Sequence, residues 1–174
     1  MKKLLNLPNL LTILRMLMIP VFAKMYYSDM QAASMLVFLL ASATDVLDGY
    51  LARKWNQITS FGKLMDPLAD KILVMAAMCY FVEVRRMPGW ALAIVLLREF
   101  AVSGMRLIAV EQGRVIAAGW SGKVKTASTM VCIVLMFLPI PAVVNTVCVW
   151  VITLTTLYSG VEYFMKNKDV IQSA

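Results

Sequence analysis

Apolar residues form long runs along this chain, and polar residues, proline or glycine separate each run from the next. The runs cover residues 7–27, 31–51, 67–84, 88–110, 120–138 and 140–164. Most of them approach the roughly 20 residues that an α-helix needs to cross the hydrocarbon core of a bilayer. The pattern therefore predicts an all-α integral membrane protein with six transmembrane helices.

The lysine and arginine residues are concentrated on one side of the six predicted helices. The side that holds both termini carries Lys2, Lys3, Arg53, Lys54, Lys63, Arg114, Lys123, Lys125, Lys166 and Lys168. The connections on the other side carry Lys24, Arg85 and Arg86. Because basic residues beside membrane spans are retained preferentially in the cytoplasm, we expect an N-in, C-in topology in the cytoplasmic (inner) membrane.

The composition indicates one membrane domain over residues 1–174, with the lipid bilayer as its surroundings. Of the 174 residues, 61% are hydrophobic, which leaves too few polar side chains to cover a soluble globule. The net charge of +7 comes from basic residues scattered between apolar runs, which favours anionic lipid over nucleic acid as a partner. The start of the chain also resembles a cleaved signal peptide, but Arg15 interrupts it and further spans follow, so we expect a retained first helix.

Four acidic residues lie close together at the end of the second predicted helix and the start of the third. Asp45 and Asp48 are one turn apart, as are Asp66 and Asp70, and the short connection makes their helices antiparallel neighbours. Because a carboxylate at membrane depth needs a partner, the four predict a polar cavity with two divalent cations about 4 Å apart. The alternative is helix capping, which fits Asp66 before Pro67 but not the acids at the end of a helix.

Small residues accompany the carboxylates on the same helix faces. At 100° per residue, Gly49, Ala52 and Gly62 fall within about 40° of the first aspartate of their own helix. Such a flat backbone surface beside two metal ions suits a nucleotide diphosphate. Arg53 lies one residue further along, where its planar guanidinium suits a phosphate oxygen.

Together these residues spell a family signature. The pattern Asp45-x2-Asp48-Gly49-x2-Ala52-Arg53-x8-Gly62-x3-Asp66-x3-Asp70 resembles that of the CDP-alcohol phosphotransferases. Further segments resemble the bacterial phosphatidylglycerophosphate synthase branch of that family: Asn6-Leu7-Pro8-Asn9 with Thr12 and Arg15, Leu97-Arg98-Glu99, and Ser121-Gly122-Lys123-Val124-Lys125-Thr126. The resemblance implies a six-helix membrane enzyme, commonly a homodimer, that transfers a phosphatidyl group from CDP-diacylglycerol to sn-glycerol 3-phosphate and releases CMP.

The resemblance also implies roles for individual residues. Asp45, Asp48 and Asp66 would bind two metal ions, Mg²⁺ or Mn²⁺, and Asp70 would lie with them as ligand and as the base for the acceptor hydroxyl. Spacing alone does not distinguish ligand from base. The donor would be bound by Asn9, Thr12, Arg15, Asp48, Gly49, Ala52, Arg53 and Gly62. For Arg15 the alternative is a side chain that extends to the lipid headgroups.

A second group of charges is basic and follows in the fourth and fifth predicted helices. It consists of Arg98, Arg106, Lys123 and Lys125, and the resemblance implies that these four residues bind the phosphate of the acceptor. Arg98 lies in mid-span, where a charge costs about 3 kcal/mol without a polar partner, and a phosphorylated acceptor would supply the counter-charge. The alternative is an intramembrane pair of Arg98 with Glu99 or an aspartate, with Lys123 and Lys125 as ordinary lysines of the cytoplasmic side. We expect the Arg98–Glu99 pair to be poor because adjacent helical residues point about 100° apart.

Two other functions remain open from the sequence. A related enzyme of the same family would use the same donor with serine, inositol phosphate or phosphatidylglycerol as acceptor, and the basic group argues against serine. A cation channel or transporter would explain carboxylates inside a membrane. The acids lie at one side of the predicted bundle and no internal repeat is visible, which argues against an ion path.

Overall fold

The computed structural model describes residues 7–28, 30–54, 60–114, 116–117 and 119–172. Side chains are described for residues 10–28, 30–44, 65, 68–114, 116–117 and 119–170. Within the described residues the chain forms seven α-helices and no strand. They are α1 (Leu7–Tyr27), α2 (Gln31–Lys54), α3 (Ser60–Glu83), α4 (Gly89–Glu111), α5 (Trp120–Phe137), α6 (Ala142–Lys166) and α7 (Lys168–Gln172). The all-α class predicted from the sequence is confirmed.

The helix ends follow from local backbone chemistry. Pro88 and Pro141 precede α4 and α6 in extended conformations, where a residue without an N–H group is tolerated at a helix start. After α4, Gly113 adopts a left-handed conformation with φ of 72°, and its N–H donates to the Val110 carbonyl oxygen at 2.9 Å. Glycine is favoured there because it carries no Cβ, so the sequence terminates α4 at this point.

The predicted start of the third helix at residue 67 is wrong, because α3 begins at Ser60. The hydropathy pattern marks where apolar residues begin, whereas a helix needs only continuous backbone hydrogen bonds and also accommodates polar residues. Asp66 therefore lies inside α3 rather than at its N-terminal cap, and Pro67 is not in the first turn. The helix-capping alternative for Asp66 is excluded.

Two helical segments of the described residues are long and apolar enough to cross a bilayer, judged by length and composition. They are Leu10–Tyr27 in α1 and Ala142–Lys166, which is the whole of α6. A shorter apolar segment, Gln31–Thr44, forms the first part of α2. These segments indicate a membrane protein, and the six-span arrangement stays a prediction.

The chain divides into two compact units, Met1–Tyr80 and Phe81–Ala174. In the first unit α1 packs against α2, and the rings of Phe22 and Phe38 lie with their centroids 6.3 Å apart. Both rings are fully buried, as is Ala41 on α2. Inside a bilayer such close packing stabilises a helix pair through van der Waals contact, and these side chains provide that contact between α1 and α2.

The second unit is built on α6, which packs against both α4 and α5. Trp90 of α4 stacks on Trp150 of α6 with ring centroids 5.7 Å apart. Around the other end of these helices lies a buried cluster of Val102, Met105, Ala109, Tyr163 and Val170. The three helices are thereby held together along their length, which fixes the side chains between them.

Candidate functional site

The backbone places the four predicted metal ligands in two helical pairs. Asp45 and Asp48 belong to α2, and Asp66 and Asp70 belong to α3. Asp70 is half-buried. The side chains of the other three aspartates lie outside the described residues, and among the described side chains no group of three potential metal ligands occurs. The helical placement of the four is as predicted, and their role as a metal site stays a prediction.

The predicted donor-binding residues lie on α1, α2 and α3, and two of them have described side chains. Thr12 and Arg15 are buried, with 1% and 0% of their surfaces exposed. Outside the described side chains lie Asn9, Asp48, Gly49, Ala52, Arg53 and Gly62. Their assignment to the donor stays a prediction.

Arg15 is held between α1 and α2 within the first unit. Its Nε donates to the Ala41 carbonyl oxygen at 3.2 Å and approaches the Thr44 Oγ1 at 3.4 Å, and Thr44 in turn donates to Ala41. The alternative that Arg15 extends to the lipid headgroups is wrong, since hydrogen bonds to α2 satisfy it in a buried position. The contact lies on the turn of α2 directly before Asp45.

Arg98 and Glu99 form an ion pair on α4, with Arg98 Nη1 2.8 Å from Glu99 Oε1. The expectation that neighbouring positions would make this pair poor is wrong. The 100° between two Cα–Cβ directions fixes where the side chains start, but both have several rotatable bonds and their charged ends converge. Arg98 thus has a carboxylate partner inside the second unit.

Lys125 of α5 binds the same carboxylate oxygen, with its Nζ 2.6 Å from Glu99 Oε1. Glu99 and Lys125 are buried, with 8% and 6% of their surfaces exposed. From the sequence, Glu99 was considered as an alternative partner of Arg98, and its contact with Lys125 was not predicted. The signal was present, because an acid in mid-span needs a partner as much as a base does.

Two glycines lie beside Arg98, and at Gly160 a side chain would be tightly packed against it. A Cβ atom at Gly160 of α6 would stand 3.2 Å from Arg98 Cγ, and one at Gly122 of α5 would stand 3.7 Å from Arg98 Nη2. Arg98 Nε is buried and has no hydrogen-bond partner among the described residues. A buried N–H group without a hydrogen-bond partner costs free energy of folding, so this nitrogen is suited to bind a hydrogen-bond-accepting atom of a ligand.

The other two basic residues of the predicted acceptor site have different neighbours. Arg106 is exposed, and its Nε donates to Tyr163 Oη at 3.3 Å while its guanidinium lies over the same ring. Lys123 is exposed, with its Nζ 6.0 Å from the centre of the Trp120 ring. The contacts therefore bring together Arg98 and Lys125, through Glu99, and place Arg106 and Lys123 against aromatic rings.

Residues 5–158 match the family model described as CDP-alcohol phosphatidyltransferase. The chain belongs to the CDP-alcohol phosphatidyltransferase family. The resemblance drawn from the aspartate signature is thereby confirmed. The matched segment includes every predicted site residue, from Asn9 to Lys125, and ends within α6.

Curated relatives within the family are similar over most of their length. A protein of Bacillus subtilis (strain 168) named CDP-diacylglycerol–glycerol-3-phosphate 3-phosphatidyltransferase is 36% identical, over 97% of this chain and 98% of the relative. A protein of the same name from Rickettsia felis is 34% identical, over 94% and 96%. A probable phosphatidylglycerophosphate synthase of Mycobacterium tuberculosis is 37% identical, over 91% and 79%. Membership of this family favours a transferase over the ion-path alternative.

Proposed function

We propose that the chain transfers the phosphatidyl group from CDP-diacylglycerol to sn-glycerol 3-phosphate, giving phosphatidylglycerophosphate and CMP. The similarity to relatives whose names state this reaction, over more than nine tenths of the chain, carries the proposal. The family match over residues 5–158 supports the same class of chemistry. A related enzyme with another phosphorylated acceptor would share the donor and differ at the acceptor.

The acceptor phosphate is assigned to Arg98 and Lys125. With Glu99 between them, these three side chains carry a net charge of +1 in a largely buried position. A buried excess of positive charge favours an anion, and a guanidinium binds a phosphate through two parallel hydrogen bonds. Arg106 and Lys123, both exposed, are assigned to the approach of the charged acceptor from solution, as electrostatic attraction would provide.

Two divalent cations, Mg²⁺ or Mn²⁺, are assigned to Asp45, Asp48, Asp66 and Asp70. Carboxylate oxygens are the ligands that such hard cations prefer, and the sequences of α2 and α3 each contain two aspartates about one turn apart. When bound, the cations would neutralise charge on the diphosphate of the donor. Without the cations the four carboxylates would repel one another. These four residues therefore suit a site that binds metal ions better than a cavity without metal.

Side chains of the protein bind the two substrates and accept the proton of the acceptor hydroxyl. A hydroxyl oxygen of the acceptor bonds to the phosphatidyl phosphorus, the bond from that phosphorus to the CMP oxygen breaks, and the hydroxyl proton passes to the carboxylate of Asp70. Arg98 and Lys125 hold the acceptor by its phosphate during the transfer. The donor is assigned to Asn9, Thr12, Arg15, Asp48, Gly49, Ala52, Arg53 and Gly62.

We further propose that the active molecule is a homodimer with six membrane-spanning helices per chain. The apolar runs of the sequence and the excess of basic residues on the terminal side support N-in, C-in topology in the cytoplasmic (inner) membrane. On this arrangement the polar cavity with its metals opens to the cytoplasm, where a water-soluble acceptor is available.

The test follows CMP release by purified protein in detergent with CDP-diacylglycerol and Mg²⁺. Glycerol 3-phosphate, inositol phosphate, serine and phosphatidylglycerol are supplied one at a time. We expect release with glycerol 3-phosphate and its loss in EDTA. Release only with one of the other acceptors would support CDP-diacylglycerol as the donor and contradict glycerol 3-phosphate as the acceptor.

A further inference from the structure

We propose that Glu99 is a positioning residue that holds Arg98 and Lys125 in the arrangement that binds the phosphate of the acceptor. The inference rests on the proposed function, because it takes a phosphorylated acceptor as the ligand of the two cations. Neither the aspartate signature nor the names of the relatives assign a role to this carboxylate.

One oxygen of Glu99 joins cations from two different helices. Arg98 Nη1 of α4 and Lys125 Nζ of α5 lie 2.8 Å and 2.6 Å from Oε1, and all three side chains are at most 15% exposed. Two cations this close to one oxygen repel each other, and little solvent is present to screen them. The carboxylate therefore overcomes this repulsion and keeps the two charges in adjacent positions on separate helices.

The same contact decides which edge of the guanidinium remains for a ligand. Nη1 of Arg98 is used by Glu99, while Nε and Nη2 form the other edge, and Nε has no partner among the described residues. Two nitrogens on one edge match two oxygens of a phosphate. Gly122, which has no side chain, lies beside that edge. A Cβ atom added to Gly122 would stand 3.7 Å from Nη2. Glu99 thus binds Nη1 and leaves the edge formed by Nε and Nη2 for a ligand.

Loss of the Glu99 carboxylate changes the acceptor KM in opposite directions, depending on whether Glu99 acts by charge repulsion or by positioning. If the carboxylate acted only through its charge, it would repel an anionic acceptor, and its removal would lower the KM for glycerol 3-phosphate. If it positions the two cations, its removal lets them separate, and the KM for glycerol 3-phosphate rises. We expect the second result, by about tenfold in Glu99→Gln, because charge-assisted hydrogen bonds at both cations are lost.

The experiment measures kcat and both KM values for the wild type, Glu99→Gln, Glu99→Asp and Glu111→Gln. Glu111 is an exposed acid at the end of the same helix and serves as the matched control, with no expected change. For Glu99→Gln we expect a raised acceptor KM, with kcat and the KM for CDP-diacylglycerol within about twofold of the wild type. Glu99→Asp keeps the charge but shortens the reach to Lys125, and it should give an intermediate acceptor KM.

An unchanged or lowered acceptor KM in folded Glu99→Gln would overturn the proposal. A fall in kcat together with a rise in both KM values would also overturn it, since a merely structural role predicts that result. If Glu99→Gln does not fold, Glu99→Asp decides, and an acceptor KM equal to the wild type would contradict positioning. Thermal stabilisation by glycerol 3-phosphate gives a readout without turnover, so a wild type that binds it but releases no CMP would contradict the proposed function alone.

Discussion

Replacing Gly160 by alanine places a methyl group against the side chain of Arg98. The new Cβ would stand 3.2 Å from Arg98 Cγ, whereas carbon atoms in contact prefer about 3.5 to 4.0 Å. Either α6 moves away from α4 or the Arg98 stem shifts by roughly half an ångström. Since the guanidinium is also held by Glu99, we expect the shift to turn its free edge away from the acceptor phosphate.

The expected effect on stability at Gly160 is the difference of two terms. Overpacking costs about 1 to 3 kcal/mol, and exchanging glycine for alanine in a helix gains about 1 kcal/mol. The net destabilisation is therefore about 0 to 2 kcal/mol. If Arg98 moves and about half of a 2 kcal/mol strain appears as weaker binding of the acceptor, the loss is about 1 kcal/mol. The acceptor KM then rises about fivefold, since 1.4 kcal/mol corresponds to tenfold.

Two other glycines supply controls for this measurement. Gly104 of α4 has nothing within 4 Å of an added Cβ, and at Gly122 the nearest atom is Arg98 Nη2 at an ordinary contact distance of 3.7 Å. The acceptor KM is measured from CMP release at saturating donor, and stability from thermal unfolding in detergent. We expect the highest acceptor KM for Gly160→Ala, a lower one for Gly122→Ala and the lowest for Gly104→Ala. Equal acceptor KM values for Gly160→Ala and Gly104→Ala would show that packing at Gly160 does not control the position of Arg98.

Three further perturbations test separate parts of the account. Asp45→Asn or Asp70→Asn should abolish transfer while the protein still inserts and folds, and full activity in a folded variant would refute the role given to that residue. Arg98→Ala should raise the acceptor KM far more than the donor KM, and equal changes would contradict its assignment. Hydrogen bonding to Arg114 lowers the pKa of Asp169, so the pair stabilises the protein above the ordinary aspartate pKa and loses this contribution as pH falls through the lowered one. Acid titration of thermal stability should therefore be flatter in Asp169→Asn, and an unchanged profile would show that the exposed pair contributes nothing.

The apolar runs predicted the number and approximate positions of the long helices because burial and membrane insertion both act through apolarity. They failed at the start of α3, where Ser60, Lys63 and Asp66 lower the mean hydropathy of a segment that is nevertheless helical. The sharp end of α4 at Gly113 follows from backbone chemistry that the sequence does show. Helix existence was therefore predictable, and the boundary beside the aspartates was not.

The family and the identity of the charged residues followed from sequence, but their pairing did not. Residue spacing fixes Cβ directions, whereas the Arg98–Glu99 contact depends on the rotamers of two long side chains. The contact from Glu99 to Lys125 joins α4 and α5, and no local pattern encodes how those helices pack. Likewise, the burial of Arg15 depends on its bonds to α2, so its sequence position was compatible with headgroup contact and with burial.

The identity of the lipid product shows which molecule receives the phosphatidyl group. Purified protein is incubated with CDP-diacylglycerol, Mg²⁺ and deuterium-labelled glycerol 3-phosphate, and the lipid fraction is analysed by mass spectrometry. We expect labelled phosphatidylglycerophosphate in amounts equal to the CMP released, and neither product with EDTA present. CMP release without label in the lipid would show that glycerol 3-phosphate is not the acceptor.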